Sequence, residues 1–169
     1  MSLNIHFLNV GAGDCTIVDL PERFIRSTGK KKARRVMMID INDCGEEGNY
    51  TDVLNYYKTK FRDGNGYRAI FRFICTHPHK DHITGIDRLF SDPQINIINF
   101  WDITNDFYPE DWQNDPSPED WEMYLKLKKG NWTGTTLVYD DSSTPAQYWN
   151  EDRITIISPS DELYQATHY

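Results

Sequence analysis

"CTHPHKDHITG", residues 75–85, decides how the rest of the chain is read. Three of the five histidines in a 169-residue chain fall within six positions, and an aspartate stands just before the last of them. The run "AIFRFICT" (69–76) in front of it is almost continuously apolar, the pattern of a strand covered on both faces. Behind it "ITGIDRLFS" (83–91) reads as a short helix. The histidines thus sit where a buried strand gives way to a helix, the usual place for a ligand in a layered α/β fold. Alternate residues of an extended segment point the same way, so His77 and His79 can meet one ion, while Asp81 and His82, at the turn into the helix, can face a neighbouring one. Neutral imidazole and carboxylate are donors that zinc or manganese accepts. Two such ions about 3.5–4 Å apart can clamp the oxygens of a scissile phosphate or carbonyl.

Upstream, "NIHFLNV" (4–10) and "CTIVDL" (15–20) read as strands joined by the glycine turn "GAGD" (11–14). "RFIRSTGKKKARRVMMID" (23–40) reads as a second hairpin whose tip carries Arg26, Lys30, Lys31, Lys32, Arg34 and Arg35. "TDVLNYYKTKF" (51–61) reads as an amphipathic helix capped by Thr51. Downstream, "INIINFW" (95–101) is strand-like, and 105–122 holds seven acidic residues with no Lys or Arg. Ser117 followed by Pro118 starts a surface helix over 118–129, and 104–131 reads as an acidic insertion on the scaffold. "TTLVYDD" (135–141) and "RITIISP" (153–159) resume strand patterns. The whole of 1–169 reads as a single α/β domain.

Composition narrows the classes. The formal net charge is -8, so the surface as a whole is not a nucleic-acid glove, although the 26–35 tip can meet phosphates locally. Charge runs of that kind are ordinarily just solvated. Cys15, Cys44 and Cys75 fit neither a disulfide framework nor a zinc-knuckle spacing, which predicts reduced thiols and a cytoplasmic setting. Cys75 reads as a buried structural thiol rather than a ligand, His6 as a strand residue and Lys80 as an exposed lysine. No apolar run approaches a membrane span, and no secretory leader is expected. Trp101, Trp112, Trp121 and Trp132 in and beside the acidic stretch suit either a pinned surface helix or a partner-docking cap.

"THPHKDHITG" resembles the signature of the metallo-β-lactamase-fold hydrolases, and "LNVGAGDCTIV" resembles the "NVGxGD" start of the competence-protein ComEC-type branch. "MMIDIND" (37–43) is similar to the family's strand ending in an aspartate, here Asp40, and "ITIISPS" (154–160) to the strand before its second half. The resemblance implies an αββα sandwich of which the chain covers the first half to two-thirds. It implies that His77 and His79 bind a first metal, Asp81 and His82 a second, and that Asp40 supports the histidine loop. Gly11, Gly13 and Asp14 would form a tight turn beside the metal mouth. Two zinc ions, or manganese, would serve hydrolysis of a phosphodiester, small-molecule or nucleic-acid, by a metal-bound hydroxide that Asp81 orients. A lactone, thioester or β-lactam hydrolase is the alternative enzyme, because the same centre attacks carbonyls. The family's downstream ligands lack counterparts: Asp102 and His168 are the remaining candidates. The resemblance therefore also implies a split or inactive module that self-associates or needs its missing half, with sheet surface around "FRFIC" and "INIINFW" exposed.

Overall fold

A computed structural model describes residues 2–25, 30–32, 34–45, 49–64, 66–102, 116–130, 135–137 and 152–155. The fold is mixed α/β. Six strands form one sheet: β1 (Asn4–Phe7), β2 (Thr16–Leu20), β5 (Arg35–Ile39), β9 (Ile70–Ile74), β10 (Phe100–Asp102) and β11 (Thr135–Leu137), side by side in that order. β1 and β2 pair antiparallel, as do β2 and β5; from β5 onward every neighbour is parallel. Parallel neighbours need crossovers, and helices supply them. Between β5 and β9 runs α1 (Val53–Lys60), between β9 and β10 run α2 (Lys80–Ile83) and α3 (Ile86–Ser91), and between β10 and β11 runs α4 (Pro118–Lys128).

Strand alternation sorts the sheet's two faces. His6, Ile17, Met38, Phe73 and Phe100 are in register across it and face the helices. There they pack with Val53, Leu54 and Tyr57 of α1, Ile86, Leu89 and Phe90 of α3, and Tyr124 and Leu127 of α4. At roughly 1.5–3 kcal/mol per fully buried large apolar side chain, this one layer supplies most of the driving force for folding. On the opposite face Met37, Arg72 and Trp101 are buried, and Ile74 and Ile154 pack on Trp101.

Several expectations shift in detail. The 23–40 hairpin divides: β3 (Arg23–Ile25) pairs with β4 (Lys30–Lys32) as a separate ladder, and β5 joins the main sheet beside β2. Residues 26–29 and 33 of the basic tip lie outside the described residues. The cap of α1 is Asp52 rather than Thr51: its carboxylate accepts from Asn55 N at 2.8 Å, while the backbone N–H of Thr51 donates to Asn9 O at 2.7 Å. The 83–91 helix is two pieces, broken at Gly85 with φ +89. A small ladder, β6 (Ile41–Asn42) aside, pairs β7 (Arg62–Asp63) with β8 (Gly66–Tyr67), which the sequence patterns did not suggest. Residues 153–155 are not strand, and 156–169, including His168, lie outside the described residues. So do 103–115 and 131 of the acidic stretch; the part that is described, α4, buries Asp120, Tyr124 and Leu127 in the core layer. Of the apolar strand surface expected to be exposed, Phe73, Cys75, Ile95, Ile97, Phe100 and Trp101 are buried and Ile98 is 39% exposed; Leu3, Ile5 and Phe7, in and just before the strand β1, are exposed further, at 51%, 50% and 80%. Among the described residues no helix is long and apolar enough to cross a membrane.

Candidate metal centre

The parallel strands β5, β9 and β10 end on the same edge of the sheet, and the β1–β2 turn lies there too. Asp40 leaves β5, Cys75 to His79 leave β9, and Asp102 ends β10. The loops after β5 and β9 are zipped together by parallel bridges Ile41–Ile83 and Asn42–Thr84 and by the bond from Asp43 N to Thr84 O, 2.9 Å. This brings Asp40 beneath the histidines.

Asp40 is 3% exposed and adopts φ +54, a left-handed conformation that costs energy for a residue with a Cβ but that Asp tolerates better than most. Its N–H donates to Ile74 O at 2.9 Å. One carboxylate oxygen accepts Thr76 N at 2.8 Å; the other accepts Thr76 Oγ1 at 2.6 Å and His82 Nδ1 at 2.9 Å. A carboxylate only accepts, so Nδ1 of His82 carries the hydrogen, and in the neutral ring Nε2 keeps the lone pair. The Thr76 hydroxyl has spent its single hydrogen on Asp40. Its contact with His77 Nδ1, 3.1 Å, therefore makes His77 the donor and leaves that ring's Nε2 as a lone pair as well. One buried carboxylate thus sets the tautomers of two histidines, directly for His82 and through Thr76 for His77.

The three rings lie together: centroids of His77 and His79 are 4.6 Å apart, those of His77 and His82 3.9 Å. The hydrogen bond to Asp40, outweighing burial, raises the pKa of His82 above its ordinary value. Burial, reinforced by the neighbouring His82 and His79, lowers that of His77. Around His82 Nε2 stand two carboxylates, Asp81 Oδ2 at 3.5 Å and Asp14 Oδ2 at 3.8 Å.

Gly13 explains how Asp14 arrives there. A Cβ on Gly13 would fall 2.3 Å from Asn42 Nδ2 and 2.6 Å from Asp81 O, so only glycine lets the β1–β2 turn lie against α2. The next residue, Asp14, then donates its N–H to Asp81 O at 3.1 Å. Gly11, with φ +80, closes the same turn under the ring of Tyr50. Asp102 is placed otherwise: it is 1% exposed and accepts from Tyr124 Oη at 2.9 Å, inside the helix layer. Cys75 is 1% exposed with burial holding its thiol well above the ordinary range, and Lys80 is exposed. His6 Nδ1 meets Tyr56 Oη at 2.8 Å under α1.

Two supports escaped the sequence patterns. Thr76 stands in the motif itself, and only its place between Asp40 and His77 marks it. Asp120 accepts from Gly85 N and Asp87 N, each at 3.1 Å, and so anchors the start of α3 from α4, 33 to 35 residues away. Its spacing from Ser117 reads simply as the cap of its own helix.

Among the described residues no group of three or more His, Cys, Asp or Glu side chains is drawn together on one point where an ion can sit. The donors nevertheless fit a metal in kind: two imidazoles have their lone-pair nitrogens set by a buried carboxylate, the arrangement that metal-ligating histidines ordinarily have. A scan against protein-family models finds no match for this chain, and a search of curated proteins finds none either.

Proposed function

We propose that the protein is a metal-dependent hydrolase of the metallo-β-lactamase type, closest to the ComEC-type branch, acting on a phosphodiester in a small molecule or a nucleic acid. The observation that carries the reading is the Asp40 carboxylate, which holds His82 Nδ1 at 2.9 Å and, through Thr76, His77 Nδ1. A buried carboxylate that orients two adjacent imidazoles has no evident use in packing alone; it suits rings that must present Nε2 to an ion. His77, His79, Asp81 and His82 would hold zinc or manganese. Bound there, the ion supplies Lewis acidity and a water of lowered pKa. The chain's own part is positioning. Asp40 and Thr76 fix the ring planes, and Asp81, half exposed, reaches solvent to orient the attacking water and receive its proton. The choice of phosphodiester over carbonyl substrates rests on the branch resemblance and on the basic 26–35 segment.

The test is hydrolysis of bis(4-nitrophenyl) phosphate and single-stranded DNA with added zinc or manganese. Metal-dependent cleavage that Asp81→Ala abolishes supports the proposal; hydrolysis of lactone or thioester substrates alone replaces it with the carbonyl reading. Self-association is part of the proposal, with a second copy as the partner. β1 is the edge of the sheet, and exposed Leu3, Ile5 and Phe7 line it, the kind of edge that pairs with another strand. Light scattering that gives a monomer at micromolar concentration removes that part.

A further inference from the structure

We infer that the β3–β4 ribbon is a docking surface for the phosphate backbone of a nucleic-acid duplex, at the edge of the sheet opposite the histidine loop. As a docking surface it stands without any metal. As a contact to substrate it rests on the phosphodiester reading above, which it narrows to a polymer.

Topology places the ribbon. Leu20, the end of β2, pairs with Arg35, the start of β5, so the chain between them leaves the sheet at that edge. The histidine loop leaves β9 at the other edge, where Ile74 pairs with Ile39. Strands rise about 3.3 Å per residue, which sets the two edges about 13 Å apart. A small diester held at the histidines does not span that distance. A duplex, with a charge every ~1.7 Å along its axis, does.

Charge is divided between the same two edges. In a chain of net charge -8, residues 23–35 hold seven Lys and Arg and no Asp or Glu. Asp19 and Asp152, the buried acids at that edge, each hold two arginines already: Arg34 and Arg68 on one, Arg35 and Arg72 on the other. The histidine edge instead gathers Asp14, Asp40, Asp43 and Asp81. The ribbon end is therefore the end to which the field of the molecule steers a polyanion.

The register separates this ribbon from an ordinary solvated charge run. Arg23 lies directly opposite Lys32 in the ladder, and like charges directly opposite destabilise a strand pair. One lysine on an edge strand is enough to discourage stray pairing. Three in succession, one of them set against an arginine, exceed that need, and an anion along the ladder relieves the repulsion. Strand residues alternate, so Lys30 and Lys32 fall on one face of the ribbon and Lys31 on the other. Charge on both faces suits a groove flanked by two rows of phosphates, and the major groove of a duplex admits a two-stranded ribbon. A membrane surface would meet only one of those faces.

The experiment is fluorescence anisotropy of a labelled DNA duplex of about 20 base pairs, titrated with the full chain in EDTA at a series of salt concentrations. Wild type is compared with the triple variant Lys30→Gln, Lys31→Gln, Lys32→Gln and with the charge-keeping triple variant to Arg, their folds checked by circular dichroism. Vesicles containing phosphatidylserine are the second probe. The expected result is wild-type binding whose log affinity falls linearly with log salt. The Gln variant should bind at least about tenfold more weakly, with a salt slope smaller by about 2–3, and the Arg variant should bind as the wild type does. No binding at about 50 mM salt, or equal affinity and slope in the Gln variant, would overturn the inference. Binding to vesicles without binding to the duplex would replace it with a membrane surface. Hydrolysis of bis(4-nitrophenyl) phosphate without duplex binding would overturn this inference alone, whereas duplex binding without any hydrolysis would overturn only the enzymatic reading.

Discussion

Asp40 and Asp152 are both buried, and each ties together segments distant in sequence, yet they leave their surroundings in different chemical states. Asp152 accepts from Arg35 Nη1 at 3.0 Å and from Arg72 Nη1 at 2.8 Å. Its partners are cations, packed in turn over the rings of Phe71 and Trp101. Burial lowers the pKa of Arg72, and Asp152 opposes that shift. Both arginine side chains on this carboxylate end in guanidinium groups, which only donate and hold no lone pair behind their hydrogens. Asp40 accepts from a backbone N–H, a hydroxyl and an imidazole, and behind the last two hydrogens stands a histidine ring whose neutral form keeps a lone pair. Equal burial therefore does not mean equal purpose: arginine partners end the chain of interactions, histidine partners extend it.

The contrast breaks most visibly at Asp152. Asp152→Ala leaves the Arg72 guanidinium buried, 1% exposed, without its counter-charge. The expected loss is about 3–5 kcal/mol of stability in urea unfolding, with zinc uptake per folded chain unchanged. Equal losses of stability and of zinc affinity would erase the distinction. Asp40→Asn is the opposite case. Asparagine tolerates the left-handed backbone but weakens the hold on His82 and Thr76. The expected result is about 10–100-fold weaker zinc binding by calorimetry with a modest stability change.

Two further buried carboxylates sharpen the comparison. Asp120 accepts backbone N–H groups at the start of α3 and the hydroxyl of Ser117 at the start of its own helix. Asp120→Ala should cost about 1 kcal/mol, the scale of a lost helix cap, measured by thermal unfolding. Asp19 resembles Asp152, since Arg34 and Arg68 both bind it. Burial pushes its pKa up, but the hydrogen bonds and charges of the two arginines together hold it below the ordinary 3.8. A depressed folded pKa stabilises the fold above the unfolded value and loses that stabilisation as pH falls through the folded one. Stability measured from pH 5 downward should therefore fall less steeply below about pH 4 in Asp19→Asn than in wild type. An identical pH profile would remove Asp19 from the class.

Local pattern carried much of this into view beforehand. The apolar run to Cys75, the alternation around 4–20 and 35–39 and the Ser117–Pro118 start each state their element within a few residues, because burial and capping are local signals. The histidine spacing was legible in the same way, whereas Asp40 at a strand end was legible through the resemblance of "MMIDIND". The through-space partners were not. Arg72 meets Asp152 eighty residues away, and Asp120 reaches back to Gly85. The resemblance set Gly11, Gly13 and Asp14 in one turn beside the histidines but did not supply the cause, which is that Gly13 lets two loops close. α1 starts one residue late, at Val53, whose N–H donates to the Asp43 carboxylate at 3.0 Å, a tertiary contact that propensity does not contain.

The central claim is that the Asp40-supported histidine loop holds a metal. It is tested most directly by elemental analysis of the purified chain against the double variant His77→Ala, His79→Ala, after both are loaded with zinc and manganese and desalted. The account predicts metal retained by the wild type and lost from the variant, with the fold of both intact by circular dichroism. Equal metal in the two proteins, or none in the wild type, would contradict it.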